Sequence, residues 1–559
     1  MHFVVNQCNT SWMHKFGDLW SFNTRDLMRA STCGHCTTLS VLHVLEDAVV
    51  EEKLKKYIDE QKKEKELGKN KSLPQRYGDE FEDQLTKELM GRLEPAQFAR
   101  PEEDGDFGQT LELMRAKVPV IYQGGLEHPG DGTVFRGKPD FLVLAGWELL
   151  FDDQGLAARK ASEAIGNGYT VWDAKYSSHP KPEYALQVAI YIEALSQVGF
   201  LEPNANHGLI LGNRTLFPLK EAEIVPATRL ARAELEKQIR KVESNKNSQL
   251  LDNFTWHCAG NKQCEICEYP KLCKDDREAT LDLLLVAGLG KNMRDKLIRA
   301  GITDLEILAN TELASIPDVS QRTFEKLKLQ AKLQLKSLGS EGPESEPLAN
   351  PMLQYLPRPD DGDVFFDMEG FPYFTEGGLE YLFGNWVREQ EFVEFWAVDR
   401  RTEKIAFINF MTWLYRRMME NPNAHVYHYA SYERTALKRL ANRFAVMEQE
   451  LMQLEAEHRF VDLYPMVTKS VRIGEPKYSI KNLERHYEFD ERAGVQGGEE
   501  SIEEFVNWRD LEEQLSSGVE LENRAKTIDD SKAIFNRIRE YNIEDVKSTM
   551  ELYDWLLKF

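Results

Sequence analysis

The chain has 559 residues, of which 42% are hydrophobic and 29% charged, and its formal net charge is −23. This length exceeds what one hydrophobic core usually holds, so the sequence predicts about two or three domains. The acidic total argues against a protein that coats nucleic acid through bulk positive charge, but it allows metal-binding carboxylates beside a local basic channel. Neither an apolar stretch long enough to span a membrane nor a signal-peptide pattern occurs, so we expect a cytoplasmic protein without a membrane partner.

The first half of the chain mixes helical patterns with short apolar strands. The segment KPDFLV places Asp140 at the start of one strand, and YTVWDAK places Asp173 and Lys175 on the same side of another. Two converging acids can hold a hard cation such as Mg²⁺, and a neighbouring ammonium group can orient a water molecule. Because D-x-K is also common on surface strands, this pair of segments alone predicts a phosphodiester-cleaving site only in outline.

Two helical segments add further candidates for the same site. In PEYALQVAIYIEAL, Gln187 and Tyr191 are four residues apart and therefore share a helix face, and YGDEFEDQLTKEL offers Glu82 as another ligand. The ordered set resembles the RecB-type nucleases of the PD-(D/E)xK superfamily over about residues 20–276. The resemblance implies that Asp140 and Asp173 bind metal and that the other four residues, Glu82, Lys175, Gln187 and Tyr191, complete the catalytic site.

The seven cysteines all lie in the first half of the chain, which favours metal ligation over a disulfide framework in a protein without an export signal. Three of them fall within CEICEYPKLC, as Cys264, Cys267 and Cys273. One branch of the RecB-like nucleases has one N-terminal cysteine and three after the core that together hold a [4Fe–4S] cluster. That resemblance implies Cys33 as the fourth ligand, with Cys36 and Cys258 as alternatives for it and zinc as the alternative metal.

The middle of the chain, residues 277–338, has helical patterns only. The segment GLGKNMRDKLIRAG resembles a helix-hairpin-helix motif, in which Gly288 and Gly290 let backbone N–H groups approach a phosphate. A weaker second copy covers residues 316–327, with Asp318 where a glycine is usual. A helical spacer between two domains is the alternative interpretation of this region.

A second set of acids follows a linker rich in Gly, Pro and Ser at residues 339–360. The strand DVFFDMEG carries Asp367 and Glu369 on one face, and a late helix carries Tyr541 and Asp545 four residues apart. Acids from distant segments that meet in one place can bind two Mg²⁺ ions for phosphoryl hydrolysis. The alternative role for Tyr541 is that of an aromatic side chain packed in the core.

The order D-x-E, a middle acid and Y-x-x-x-D is similar to the DnaQ-like exonucleases of the RNase H-like fold, the DEDD group. Their middle motif commonly reads H-N-x-x-F-D, whereas this chain has HYASYE, which puts Tyr429 in the asparagine position and Glu433 in the aspartate position. The resemblance implies that Asp367, Glu369, Glu433 and Asp545 bind Mg²⁺ or Mn²⁺ and that Tyr541 positions the attacking water. Asp462 is a further acid, in a position that is more often structural.

The fold class expected is α/β and multidomain, with a restriction-endonuclease-like PD-(D/E)xK core, a helical middle and an RNase H-like mixed sheet with flanking helices. The expected domains are an iron–sulfur nuclease domain, a helix-hairpin-helix connector, the linker and a DEDD exonuclease domain, at residues 1–276, 277–338, 339–360 and 361–559. The resemblances imply a nuclease acting on single-stranded DNA or DNA ends, with RNA as an alternative substrate. No P-loop pattern occurs, so unwinding would require a separate helicase. The competing hypothesis is a nucleic-acid-binding scaffold with inactive sites.

Overall fold

The computed structural model describes most of the chain in two compact units, residues 1–277 and 278–559. The described residues are 13–46, 51–52, 73–161, 166–244, 264, 267, 269–340, 342–349, 351–374, 377–388, 392–487, 489, 494–495, 497–517 and 524–559. Within them, no helix combines the length and apolar character needed to cross a membrane.

The N-terminal unit is built around a mixed six-stranded sheet in the order β12-β11-β10-β7-β4-β3, beside a four-stranded sheet in the order β1-β2-β6-β5 and a β8-β9 hairpin. Strand β10 has the central place, because it pairs in parallel with β11 and antiparallel with β7. The strands are β1 His14–Phe16, β2 Leu19–Phe22, β3 Phe98–Ala99, β4 Val120–Tyr122, β5 Leu126–Pro129, β6 Thr133–Gly137, β7 Phe141–Leu144, β8 Trp147–Asp152, β9 Gly155–Lys160, β10 Tyr169–Lys175, β11 His207–Leu211 and β12 Thr215–Leu219.

Helix α5 fills the core beside this sheet. The helix begins at Pro182, a position whose backbone N–H would have no partner within the helix, so proline is tolerated there. Every residue from 188 to 195 is buried. The helix packs against β10 and α6. The helices that begin in this unit are α1 Thr24–Thr32, α2 Gly34–Val44, α3 Leu73–Met90, α4 Phe107–Arg115, α5 Pro182–Gln197, α6 Glu221–Ser244 and α7 Pro270–Ala279.

The C-terminal unit opens with a small helical bundle of α8 Lys291–Arg299, α9 Leu305–Asn310 and α10 Gln321–Leu338, preceded by a 3₁₀ turn at Leu283–Leu285. Gly288 has φ +80° and lies two residues before Gly290, the N-cap of α8. Asp318 has φ +60° and lies two residues before Ser320, the N-cap of α10. The two copies predicted from the sequence thus share one backbone pattern, although only the first has glycine in the left-handed position.

The rest of this unit is organised by a five-stranded sheet in the order β16-β15-β14-β17-β18. Strands β14, β15 and β16 are antiparallel, whereas β14, β17 and β18 run parallel, so the carboxyl ends of these last three meet at one edge. The segment read as a linker contains β13, which pairs with β19. The strands are β13 Ser345–Pro347, β14 Val364–Phe371, β15 Leu379–Val387, β16 Val393–Trp396, β17 Val426–His428, β18 Phe460–Asp462 and β19 Val471–Ile473.

Long helices flank the sheet of the C-terminal unit. Helix α11 starts with a capping box in which Asp399 and Thr402 bond each other's backbone N–H groups, and helix α17 packs against β14 and β15. The helices are α11 Arg400–Glu420, α12 Tyr432–Phe444, α13 Glu448–Ala456, α14 Leu463–Thr468, α15 Ile480–Leu483, α16 Gly498–Ser516 and α17 Arg524–Leu556, with 3₁₀ turns at Met352–Tyr355 and Glu484–His486.

Candidate functional site

Strand pairing brings the first predicted acids together. Asp140 immediately precedes β7, whose Phe141 pairs with Trp172 of β10, so Asp140 comes opposite the segment that carries Asp173. One Asp140 carboxylate oxygen accepts a hydrogen bond from the backbone N–H of Ala174 at 2.6 Å. The antiparallel register therefore places residues that are 33 positions apart in sequence next to each other.

Asp173 is fully buried and forms an ion pair with Lys175, as the shared strand face predicts. Helix α5 contributes Gln187, whose Nε2 lies 3.4 Å from Asp173 Oδ1 and 3.5 Å from the hydroxyl oxygen of Tyr191. The Tyr191 hydroxyl group donates to the backbone carbonyl of Lys138 at 3.1 Å. Gln187 and Tyr191 thus hold Asp173 and the segment before Asp140 in place.

Glu82 reaches the same neighbourhood from α3. Its carboxylate accepts hydrogen bonds from the Tyr122 hydroxyl group at 2.9 Å and from Gln123 Nε2 at 2.6 Å. Burial raises the pKa of Asp140 well above its ordinary value, and the charges of Asp173 and Glu82 raise it further, whereas Lys175 acts in the opposite direction. Burial is thus the main cause of this raised pKa, and the two neighbouring acids add to it.

The second set of acids is more tightly grouped. Asp367 and Glu369 lie on β14, on one side of the strand, and Asp545 lies on α17. One oxygen of each carboxylate lies within 4.8 Å of the others, and these three residues form the one such group of acids, histidines or cysteines found in the described residues. Oxygen ligands at this spacing suit Mg²⁺ or Mn²⁺.

Glu369 is 7% exposed and accepts hydrogen bonds from the Tyr381 hydroxyl group at 3.3 Å and the Ser501 hydroxyl group at 3.4 Å. Burial, and after it the charge of Asp545, raise the pKa of Glu369 to about 8. A divalent cation would offset the repulsion between these acids, so the arrangement fits a cation site in chemistry as well as in spacing.

The other residues predicted for this second site lie outside the group of three acids. Tyr541 is buried at the start of the turn that leads to Asp545. Glu433 lies in the first turn of α12, outside the three-acid group. Its side chain is 4% exposed, and its Oε2 lies 3.5 Å from His428 Nδ1 without forming a hydrogen bond. Asp462 caps α14 and accepts the backbone N–H of Ala430 at 2.9 Å, which is a structural role.

Two family models match the chain. The model of the PD-(D/E)XK nuclease superfamily matches residues 162–274, and that of the RNase_H superfamily matches residues 364–557. The chain therefore carries a PD-(D/E)XK nuclease domain and an RNase H superfamily domain. Both point to a metal-dependent nuclease, and the α/β multidomain fold predicted from the sequence is confirmed. No curated protein and no solved structure is significantly similar to the chain.

The matched segments contain most, but not all, of the candidate residues. The PD-(D/E)XK match includes Asp173, Lys175, Gln187 and Tyr191, whereas Glu82 and Asp140 precede it. For the RNase H domain the match covers the whole second set, which is Asp367, Glu369, Glu433, Tyr541 and Asp545.

Five cysteines of the N-terminal unit lie in or against its main core. Cys36 and Cys273 are buried in that core, and Cys33, Cys264 and Cys267 pack against it. The sulphur atoms of Cys36 and Cys267 are 3.6 Å apart, and the Cys36 backbone N–H points to the Cys33 sulphur atom at 3.4 Å. Cys258 lies outside the described residues.

Asn542 is a site residue that the sequence reasoning missed. Its Nδ2 donates to Asp367 Oδ2 at 2.7 Å, and its side-chain hydrogen bonding opposes the rise in the pKa of Glu369. Asn542 fits because Gly384 of β15 has no side chain: a Cβ there would lie 1.5 Å from Asn542 Oδ1. The signal available in the sequence was a glycine inside a strand, which often marks a close approach of another segment.

Proposed function

We propose that the chain is a metal-dependent nuclease that removes nucleotides from single-stranded DNA or DNA ends by hydrolysing phosphodiester bonds. The observation that carries this proposal is the group of Asp367, Glu369 and Asp545 inside a domain of the RNase H superfamily, in which one oxygen of each carboxylate lies within 4.8 Å of the others. The resemblance to DnaQ-like exonucleases supports the exonucleolytic mode. RNA remains the alternative substrate.

At the RNase H domain, the three acids and Glu433 would hold Mg²⁺ or Mn²⁺. Such ions activate water and stabilise the leaving oxygen in phosphoryl hydrolysis. Asn542 keeps one oxygen of Asp367 in place by its hydrogen bond, and Tyr541 orients the attacking water. Glu433 suits the role of an additional ligand because its Oε2 is buried without a hydrogen bond in the described part of the chain.

At the PD-(D/E)XK domain, Asp140 and Asp173 would hold the cation, with Glu82 assisting. Lys175, which contacts Asp173, would place the water, while Gln187 and Tyr191 support the buried acid. This domain offers a second centre for the same reaction, so the chain would cleave at two places.

The cysteines of the N-terminal unit would hold a [4Fe–4S] cluster. The donors fit, because thiolates are the usual ligands of such clusters, and Cys33, Cys264, Cys267 and Cys273 all lie in or against one core. The contact between Cys36 and Cys267 supports Cys36 as the alternative fourth ligand. Anaerobic purification followed by iron, sulfide and zinc analysis of Cys33→Ser and Cys36→Ser chains tests this, and one zinc with no iron would contradict the cluster.

The small helical bundle of the C-terminal unit would bind the phosphate backbone without reading sequence. The N-terminus of α8 follows the left-handed Gly288, and a Cβ at Gly288 or Gly290 would meet no atom within 4 Å, so the backbone there is open to approach. The second copy, with Asp318, would serve chiefly as structure. A separate helicase would supply any unwinding.

The test uses end-labelled single-stranded and duplex DNA with Mg²⁺ or Mn²⁺. It compares the wild type with Asp173→Ala, Asp367→Ala and the double variant, with the exposed Asp153→Ala and Asp361→Ala as controls. We expect each single change at a site to remove a distinct product pattern, the double change to abolish cleavage, and the controls to cleave normally. A wild type that binds DNA without cutting it would favour the competing function, a nucleic-acid-binding scaffold with inactive sites.

A further inference from the structure

The segment from Tyr478 to Leu483 is held firmly beside the acids of the RNase H domain, although it supplies none of them. The Tyr429 hydroxyl group, at the end of β17, donates to the backbone carbonyl of Tyr478. Ser479 caps α15 through the backbone N–H of Asn482, and Leu483 is fully buried in the core that contains residues of β17, β18 and α17. These contacts attach the segment to the edge of the sheet.

The turn that follows is tied to α17, the helix that carries Asp545. The Ser548 hydroxyl group donates to Glu484 Oε1 at 2.8 Å and lies 2.8 Å from the hydroxyl oxygen of Tyr487. The segment that contains α15 is therefore joined to β17 through Tyr429 and to α17 through Ser548. A charged side chain on α15 can therefore act at one defined point.

Lys481 is that side chain. Its Nζ lies 5.6 Å from the centre of the Tyr541 ring, and Tyr541 begins the helical turn that ends at Asp545. A cation at this distance is attracted by the face of the ring, which keeps the ammonium group beside Tyr541, one helical turn before Asp545. Lys481 is half-buried, so a ligand that enters the site can still reach it.

The charges around Lys481 favour an anionic ligand. The three acids would be offset by divalent cations, whereas the phosphate groups on either side of the scissile bond bring further negative charge into the site. A lysine ammonium group binds a phosphate as a point charge with three donors. We propose that Lys481 binds a phosphodiester of the nucleic-acid strand next to the scissile bond; this deepens the proposed function and rests on it.

The experiment uses the full chain with Asp173→Ala, so that the PD-(D/E)XK domain is silenced and cleavage reports the RNase H domain. This chain then receives Lys481→Met or Lys481→Arg. The control is Lys477→Ala, which changes an exposed lysine in the loop before α15. We expect Lys481→Met to raise KM about 10-fold with kcat within about twofold, because a bond to a charged group made equally in the ground and transition states is lost. Lys481→Arg and Lys477→Ala should stay near the parent.

Salt dependence gives the second readout. Each contact to a single-strand phosphate adds about 0.7 to the slope of log affinity against log salt, so Lys481→Met should lower the slope by about that amount. It is measured as equilibrium binding of a labelled single-stranded oligonucleotide to chains that also carry Asp367→Ala. Mn²⁺ binding and thermal unfolding should not change with Lys481→Met, which separates phosphate binding from a structural role.

The outcomes separate this proposal from the proposed function. If Asp367→Ala abolishes cleavage but Lys481→Met changes neither KM nor the salt slope, Lys481 does not bind phosphate and the nuclease proposal stands. A fall in kcat alone would assign Lys481 to the orientation of Tyr541, and an equal effect of Lys477→Ala would assign it to diffuse charge; both overturn the proposal. If the chain cleaves nothing, the nuclease proposal fails, and the binding series alone decides the role of Lys481.

Discussion

Replacing Glu369 by glutamine should stabilise the metal-free protein, and increasingly so as the pH rises. Glu369 is 7% exposed, and burial together with the charge of Asp545 raises its pKa from the ordinary value of 4.5 to about 8. Between these two values the folded protein keeps a proton that the unfolded chain has lost. The unfolded state therefore binds fewer protons, and the free energy of unfolding falls as the pH rises through this window.

The magnitude follows from the same two values. One pKa unit corresponds to about 1.4 kcal/mol, so the ionised Glu369 costs about 5 kcal/mol above pH 8 and almost nothing below the ordinary pKa. Glutamine has nearly the same shape and no charge, and it can still accept from Tyr381 and Ser501. We expect the Glu369→Gln chain to gain stability over the wild type by at most about 1.4 kcal/mol per pH unit across the window.

Urea unfolding of the full chain in EDTA, at several values from about pH 5 to about pH 9, measures this difference. The control is Glu312→Gln, an exposed glutamate in a loop of the same unit, which should follow the wild type at every pH. When Mn²⁺ replaces EDTA in the buffer, it should stabilise the wild type more than the variant, because Mn²⁺ binds the ionised carboxylate of the folded state. A stability difference that stays constant with pH, or a less stable variant above pH 8, would refute the reasoning.

Two further predictions concern the support of Asp367. Gly384→Ala should lower the free energy of unfolding by about 1–3 kcal/mol, because the new Cβ would lie 1.5 Å from Asn542 Oδ1. The control, Gly339→Ala, should have little effect, because a Cβ there meets only one backbone oxygen, at 3.7 Å. Chemical denaturation of the two variants and the wild type measures the difference. Asn542→Ala should weaken Mn²⁺ binding by about 10- to 100-fold, because the hydrogen bond that orients Asp367 is lost. A Mn²⁺ titration with unchanged affinity would show that Asp367 needs no such support.

The sequence was most informative where local periodicity decides the structure. The alternation around Asp367 and Glu369 predicts a strand with both acids on one face, and the four-residue spacing of Tyr541 and Asp545 predicts a shared helix face. The structure has β14 and α17 at these places. Such patterns depend on neighbours within one turn or one strand, so they can be read without knowledge of the fold.

The sequence was silent where contacts between distant segments decide the structure. The bond from Asn542 to Asp367 joins residues 175 positions apart, and it depends on a glycine in a third segment. The place of β10 between β7 and β11 likewise depends on strand order, which periodicity does not encode. For the same reason, the spacing of HYASYE could not reveal that Glu433 lies outside the three-acid group.

In the PD-(D/E)XK domain, a lysine of the protein itself is the counter-ion of a buried acid. Lys175 pairs with the buried Asp173, and the raised pKa of Asp140 means that this neighbour keeps its proton more readily than an exposed aspartate. A divalent cation that binds both acids must therefore compete with an internal ammonium group and expel a proton. If these two acids bind metal as proposed, occupancy of the site would be an exchange reaction in which the pH sets how much metal the domain takes up.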